Sequence, residues 1–394
     1  MTQEVAPKFP PRDLRRLRFF AVKNQPSEII DQPSPTVLRR RLLAWYGRHR
    51  RDLPWRLDPP ARPDPYHILV SEAMLQQTQV ATVISYYRRF LDRFPTLEAL
   101  AAADEQEVLA LWQGLGYYRR AQHLHAAACV IVADHASRVP DTAAALARLP
   151  GVGRYTAGAV ASIAFDQPAP ILDGNVARVL ARVYAIAEPI DATATRTQLW
   201  QLAGELVPRR NAGQFNQALM ELGALCCLPR NPQCTRCPLR AECRAHRDDR
   251  VHELPRRSPR REPVNVTHHV AIIERSRGRS RVYVFMPRPA SGLWSNMWQF
   301  PTLELAADAR APRPADLLDW VREQTGLTCR LAATLDAFTH QTTHRTIRVR
   351  ASHLHITAGR LRPRVGQWRK LDNLADLPLP NPHRRLVDAI QRMK

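Results

Sequence analysis

Residues 149–175 read LPGVGRYTAGAVASIAFDQPAPILDGN, and the reading of the fold starts from them. Pro150 breaks a preceding helix, and Gly151 and Gly153 take positive backbone dihedrals at low cost. The stretch therefore predicts a tight hairpin between two helices, the second starting at about Arg154 or Tyr155. Free N–H groups of Gly151, Gly153 and the first helical turn then point outward at the positive end of a helix dipole, where an anion binds readily. Glycine-rich helix connections are also common without a ligand, so the turn alone leaves phosphate binding open. Further on, ILDGNV sets Asp173 just ahead of the helical pattern Val176, Val179, Leu180 and Val183. Asp173 reads either as an N-cap or as a catalytic carboxylate at the mouth of a cleft.

The chain has 394 residues, enough for two or three domains, and its 45% hydrophobic content is that of a globular protein. A formal net charge of +22, spread as arginine along the whole chain, makes a polyanion the expected partner. A generally basic proteome gives such a balance too. No apolar run approaches the roughly 18 residues of a membrane span, and the first residues lack the apolar core of a secretory signal. The expectation is an intracellular, cytoplasmic protein. Of seven cysteines, four crowd into one window beside Cys226 while Cys129 and Cys329 stand alone. That distribution points to ligands in a reducing compartment, not to a disulfide scaffold.

Residues 1 to about 33 are rich in Pro and Arg without periodicity and read as a mobile basic arm. Ser34-Pro35 supplies a cap and a first helical proline, followed by Leu38, Leu42, Trp45 and Tyr46 at helical spacing. That helix is expected to stop near RRDLPWR, at Pro54. There Trp55 reads as core and Arg51 and Arg56 as surface charge, or all three as the lining of a pocket for a flat aromatic ligand. The next stretch, YHILVSEAMLQQTQVATVISYYRRF, reads as one helix. Ile68, Leu69 and Leu75 flank Glu72 at i−4, i−3 and i+3, which puts the carboxylate on the apolar side of its own helix. Such a group either pairs with an arginine or is desolvated until its pKa nears neutrality, fitting it to act as a general acid. The polar run Gln76-Gln77-Thr78 beside it favours the second reading.

Asp104 and Glu107 predict a capping box for a helix carrying Val108, Leu111, Trp112 and Leu115. It ends at GLGYYRR, whose Tyr117, Tyr118, Arg119 and Arg120 read as core aromatics and a solvated face, or as groups that stack on bases and reach phosphates. Everything to about residue 225 reads as helical. The window CCLPRNPQCTRCPLRAEC spaces Cys227, Cys234, Cys237 and Cys243 as C-x6-C-x2-C-x5-C. Four thiolates in so short a loop suit an iron-sulfur cluster or a structural zinc, and the asymmetric spacing favours the cluster. Residues 246–263 are charged and proline-rich and read as a linker. Beyond it, VTHHVAIIERSRGRSRVYVFMPRP alternates like a hairpin, LLDWVREQTGL is an amphipathic helix, and RTIRVRASHLHI alternates again. These predict an α/β unit with an antiparallel sheet. His340, His344, His353 and His355 raise the question of a metal, but the last two alternate on one strand face and zinc is not the expected reading.

Together SEAMLQQTQVATVI, LWQGLGYY, LPGVGRYTAGA, ILDGNV, FNQALMELGA and the four-cysteine loop resemble the MutY-type adenine DNA glycosylases. These belong to the helix-hairpin-helix superfamily that also contains endonuclease III. The resemblance is dense over roughly residues 36–245 and looser elsewhere. It implies a mainly α fold: a two-lobed helix-hairpin-helix domain over residues 34–245, a linker over 246–263 and a NUDIX-like 8-oxoguanine recognition domain over 264–394. It also implies a [4Fe-4S] cluster on Cys227, Cys234, Cys237 and Cys243. The implied partner of the monomer is double-stranded DNA with adenine mispaired with 8-oxoguanine or guanine, the adenine being flipped out of the duplex.

By the same resemblance, Glu72 matches a general acid protonating adenine N7, and Asp173 a carboxylate stabilising an oxocarbenium-like sugar. Their opposite tasks imply a neutral acid in an apolar pocket and an anion in a hydrogen-bonded one. Asn175 and Tyr155 match residues that orient Asp173 and the sugar. Arg51, Trp55, Arg56 and Glu221 match the adenine pocket, Gln77 and Tyr117 groups wedged into the base stack, and Gly151 and Gly153 the phosphate-gripping hairpin. Relatives that cut the backbone carry a Schiff-base lysine where Tyr155 stands. A phenol forms no such base, so little or no strand cleavage is expected. WVREQTGL keeps only Glu323 of the catalytic NUDIX glutamates, which argues against pyrophosphatase activity. Where the family reads the oxidised base with Phe-Ser-His, this chain has Thr342-Thr343-His344. Thr343 retains a hydroxyl, but the phenyl ring is missing, which bears on the preference for 8-oxoguanine over guanine. The competing readings are a glycosylase for damaged pyrimidines, a non-catalytic DNA-binding protein with a sensing cluster, and a nucleotide pyrophosphohydrolase.

Overall fold

The computed structural model describes residues 33–57, 61–259, 262–278, 280–374 and 376–392. Apart from Pro33, the basic arm expected at the N-terminus lies outside them. Helix α1 (Pro35–His49) starts with Pro35 in its first turn and buries Leu38, Leu42, Trp45 and Tyr46. It stops well before Pro54, because Arg50 is already extended. The long stretch read as one helix is two, α2 (Pro65–Leu75) and α3 (Val80–Arg93), separated by a turn in which Gln77 has φ 57°. Arg120 explains the break. Its guanidinium donates to the carbonyls of Ala73 at 2.9 Å, Met74 at 2.8 Å and Gln76 at 2.5 Å, closing the end of α2 as a helix cap does.

Next come α4 (Leu97–Ala101), α5 (Glu105–Trp112) and α6 (Arg119–Asp134). The capping box expected for α5 is half made: Asp104 accepts from the Gln106 N–H at 2.8 Å, while Glu107 pairs with Arg93. The hairpin joins α7 (Ala143–Leu146) to α8 (Arg154–Phe165). Helices α9 (Gly174–Val183), α10 (Thr193–Leu206) and α11 (Ala212–Leu225) complete the series. Two cores result. One gathers Met74, Phe90, Trp112 and Leu124, the other Leu42, Leu180, Leu199 and Phe215 from α1 and α9–α11. Helix α8 serves both, giving Val160 and Ala161 to the first and Ala159 to the second, so the lobes meet along it.

After the cysteine loop comes the short α12 (Arg244–Arg247). The segment expected as a free linker is anchored as far as Ser258: Val251 and Leu254 bury against Ala245, the Leu254 carbonyl accepts from Arg182 Nε at 2.8 Å, and the Ser258 N–H bonds Asp191. Two apolar residues inside a charged run are enough to dock it.

The C-terminal unit contains β1 (Val264–Arg277), β2 (Ser280–Pro287), β3 (Trp298–Gln299), β4 (Thr302–Ala306), α13 (Pro314–Thr325), β5 (Leu327–Thr334), β6 (Phe338–Gln341), β7 (Arg345–Gly359), β8 (Gln367–Arg369) and α14 (Asn381–Arg392). The strand order is β3-β2-β1-β7-β5. β1 and β2 form the expected hairpin, but β1 and β7 run parallel from Val264 opposite Arg345 to Glu274 opposite His355, so the sheet is mixed, not antiparallel. The crossover through α13 between them permits the parallel pairing. Leu386, Val387 and Ile390 of α14 pack on Val270, Ile272 and Tyr283, while Val321 of α13 packs on Ala271 and Ile273 of the other face. The loop before β3 docks on the helical domain: Asn296 bonds Glu105 at 2.8 Å, Trp298 bonds Gln106 at 3.2 Å, and Met297 is buried in the first helical core. Among the described residues no helix is long and apolar enough to cross a membrane.

Candidate active site

Where the lobes meet lies a cavity of about 500 Å³, whose walls include Arg51, Trp55, Arg56, Glu72, Gln77, Tyr155, Asp173, Asn175, Met220 and Glu221. A larger groove of about 660 Å³, lined by Tyr66, Leu97, His135 and Phe165, shares none of these residues. Glu72 enters from α2, which is buried on nearly every side, and is itself only 4% exposed. Among the described residues no group bonds its Oε2. Burial pushes its pKa up to about 7; the Tyr155 hydroxyl and Arg56 pull it down, and the Asp173 charge raises it.

Asp173 reaches the same cavity from the start of α9, and both sequence readings of it hold locally. Its Oδ1 accepts from the Val176 N–H at 2.7 Å as an N-cap, and its Oδ2 accepts from Asn175 Nδ2 at 2.9 Å. Burial raises its pKa as well. The Val176 and Asn175 bonds and the charge of Arg178 oppose that rise. The contrast between the acids is therefore one of hydrogen bonding. Arg178 fixes the second acid in turn. It donates to Asn175 Oδ1 at 2.8 Å and to the carbonyls of Gly223 and Cys227, each at 2.7 Å. Asn175 packs where a Cβ on Gly223 would come within 2.6 Å of its own, so α11 approaches closely only because residue 223 is glycine.

Opposite the acids, Glu221 is fully buried on α11 and clamped by arginines. Arg51 donates to it from its backbone N–H at 2.8 Å and from Nε and Nη2 at 2.9 and 2.8 Å, and Arg56 adds a bond at 2.9 Å. Burial would raise this carboxyl, but the arginine bonds outweigh it and hold the pKa at about 2. Trp55 is at once core, edge-on to Tyr87 at 5.3 Å, and cavity wall. Tyr155, the second residue of α8, donates from its hydroxyl to Met220 Sδ at 3.2 Å.

Gln77, on the cavity wall, and Tyr117 (φ 48°) are both exposed in left-handed backbone, and the Tyr117 hydroxyl bonds Thr343 Oγ1 of the C-terminal domain. Thr342, standing where the resembled family has Phe, accepts from the Arg345 N–H at 3.0 Å and closes the β6–β7 turn. His344 is exposed beside it. In the helix hairpin Gly151 has φ 70° and sits where a Cβ would lie 2.3 Å from His123. Gly153 corrects the sequence reading: at φ −80°, ψ 172° it is ordinary extended backbone acting as the cap of α8, and no side chain caps that helix start. Its exposed N–H end keeps the geometry of an anion site. Arg120 is neither a solvated charge nor a phosphate ligand, since Nη1 is spent on the end of α2 and its other donors on Thr78, Gly116 and Tyr117; burial lowers its pKa to about 10.

Cys227, Cys234, Cys237 and Cys243 converge on one small pocket with Cys226 and Arg182. Cys226 is buried and its thiol donates to the Gln233 carbonyl at 3.3 Å, as that of Cys243 does to the Arg182 carbonyl at 3.5 Å. Arg182 donates to Cys227 Sγ at 3.2 Å and to the Leu228 carbonyl at 2.7 Å. Sequence reading missed Arg178 and Arg182. Their signal was an i, i+4 arginine pair on a helix whose neighbours are apolar, next to a thiol loop.

Residues 70–205 match the model of the HhH-GPD superfamily base excision DNA repair proteins, and residues 269–389 match that of the NUDIX domain. The adenine DNA glycosylase of Rattus norvegicus is 41% identical over 318 residues, 68% of this chain and 61% of the relative, so the chain spans about three fifths of that protein's length. The adenine DNA glycosylase of Schizosaccharomyces pombe is 35% identical over 69% of this chain and 70% of its own. That of Buchnera aphidicola subsp. Baizongia pistaciae is 30% identical over 90% of this chain and 97% of its own. On these matches, and on the order of helical lobes, thiol loop and NUDIX-like sheet, the chain belongs to the adenine DNA glycosylase family.

Proposed function

We propose that this chain is a monofunctional DNA glycosylase of base excision repair, hydrolysing the N-glycosidic bond of adenine mispaired with 8-oxoguanine or guanine. One observation carries the reading: Glu72, poised to ionise near pH 7, lines the same cavity as the hydrogen-bonded Asp173. A base worked on there must leave the stack. Glu72 donates its proton to N7 of the extruded adenine, making the purine a better leaving group. Asp173, held by Asn175 and the Val176 N–H, stabilises positive charge developing on the deoxyribose. Glu221, Arg51, Arg56 and Trp55 bound the far wall and position the base. Gln77, on the cavity wall, and the exposed Tyr117 fill the space it vacates, and Thr343 and His344 bring the C-terminal domain to the opposite base. The amide groups around Gly151 and Gly153 hold backbone phosphate.

Tyr155 offers no amine for a Schiff base, so abasic product stays unbroken until alkali is added. Cys227, Cys234, Cys237 and Cys243 suit a [4Fe-4S] cluster: four thiols converge, and Arg182 donates toward one of their sulfurs. When bound, it supplies a structural crosslink of the thiol loop, whose Cys227 carbonyl anchors Arg178 and through it Asn175 and Asp173. The test uses duplexes carrying A opposite 8-oxoguanine, G, C or T, incubated with protein and then alkali. Strand breaks at adenine opposite 8-oxoguanine or G, appearing only after alkali, support the proposal. No break, or breaks before alkali with borohydride trapping through residue 155, contradicts it.

A further inference from the structure

The C-terminal sheet carries a side-chain cluster that the proposed reaction does not use. Ile347, Val349 and Ala351 of β7 face α14, and the two-residue period continues that face into His353 and His355. On β1 the same face runs Val270, Ile272, Glu274, and the parallel register sets Ile272 beside His353 and Glu274 beside His355. One ligand atom from each of Glu274, His353 and His355 lies within 4.8 Å of the other two. Glu274 is only 3% exposed; its Oε2 accepts from the Tyr283 hydroxyl and from His353 Nε2, both at 2.9 Å, and its Oε1 from the Ser276 hydroxyl at 2.5 Å. The two imidazoles meet edge to face, 5.1 Å between centroids. A buried Glu–His hydrogen bond accounts for His353, while His355 on the same face meets the exposed Arg330, 3.3 Å from its Nδ1.

We propose that Glu274, His353 and His355 form a site for a divalent first-row transition-metal ion, zinc being the probe, which ties β1 to β7. Two imidazoles and a carboxylate are a donor set such ions take, with further positions left to water. Tyr283 and Ser276 hold the carboxylate in place as outer partners do in metal sites. Binding requires the His353 Nε2 lone pair, so the neutral ring carries its proton on Nδ1 and Glu274 exchanges that hydrogen bond for the ion. The Ser276 and Tyr283 hydroxyls donate to Glu274 and favour its ionised form, the form that binds metal. Two cations compete. Arg281 Nε lies 3.7 Å from Glu274, and the exposed Arg330 lies 3.3 Å from His355 Nδ1 and must swing away.

The experiment titrates zinc into the full, cluster-loaded chain, so that the thiols of the cysteine loop are already engaged, and counts bound zinc after dialysis. One equivalent is expected. Affinity should fall at least about 10-fold in His355→Ala and in Glu274→Gln, hold in His252→Ala, which removes an exposed histidine elsewhere, and rise severalfold in Arg330→Ala. His355→Ala leaves the Glu274–His353 contact in place, and a zinc-dependent rise in Tm should vanish in it while its metal-free Tm stays at the wild-type value. No bound zinc in the wild-type chain, or undiminished binding in both ligand variants, overturns the site.

Discussion

Glu72 couples stability to pH in a direction fixed by its burial. Folded, it holds its proton up to about pH 7, against an ordinary value of 4.5. Between those values the folded chain binds the extra proton, so stability declines as pH rises through the window and the penalty is complete above it, about 3 kcal/mol at full size. Glu72→Gln should therefore match the wild type in urea unfolding near pH 4 and exceed it by up to about 3 kcal/mol at pH 8; a constant difference across pH would refute the desolvated acid. Asp173→Asn separates cap from chemistry, since Asn caps helices as well as Asp. Its Tm should stay near wild type while adenine release falls by about 10²–10⁴-fold, the span of such catalytic groups. Glu72 was legible because its apolar neighbours sit at helical offsets. The partners of Asp173 beyond Asn175 were not, because Arg178 gathers acceptors from Gly223 and Cys227, far along the chain.

The break between α2 and α3 escaped the sequence reading because its cause lies on α6. The polar run Gln76–Gln79 holds neither glycine nor proline to mark a helix end, and nothing local reveals that the Arg120 guanidinium will claim the last carbonyls of α2. Arg120→Ala should cost about 3 kcal/mol in urea unfolding, since several hydrogen bonds to a charged group are lost and the carbonyls stay half-buried. An effect under about 0.5 kcal/mol would make it a surface residue. The hairpin was legible from Pro150 and Gly151, whereas Gly153 was over-read: the left-handed residue the turn needs is Gly151 alone. Gly151→Ala meets both positive φ and His123 and should weaken DNA binding more than Gly153→Ala, whose Cβ meets nothing within 4 Å. Equal losses in a binding titration would contradict this. The strands of the C-terminal unit were legible from alternation, but alternation carries no direction, so the parallel β1–β7 pairing was not.

Across the whole molecule a net charge of +22 predicts that DNA affinity falls steeply and linearly in a plot of log affinity against log salt. A flat response would mean the arginines serve another partner. The two domains meet at the loop Asn296–Trp298 and at the Tyr117–Thr343 contact, which reaches the β6–β7 turn. At the centre stands one cavity shared by the desolvated Glu72 and the hydrogen-bonded Asp173. Its most direct test is the single-turnover rate of adenine release from an A:8-oxoguanine duplex, measured against pH for the wild type and Glu72→Gln. The wild-type rate should fall as pH rises through about 7, and the variant should be slower by at least about 100-fold. A Glu72→Gln enzyme as fast as the wild type, with the same pH profile, would contradict the account.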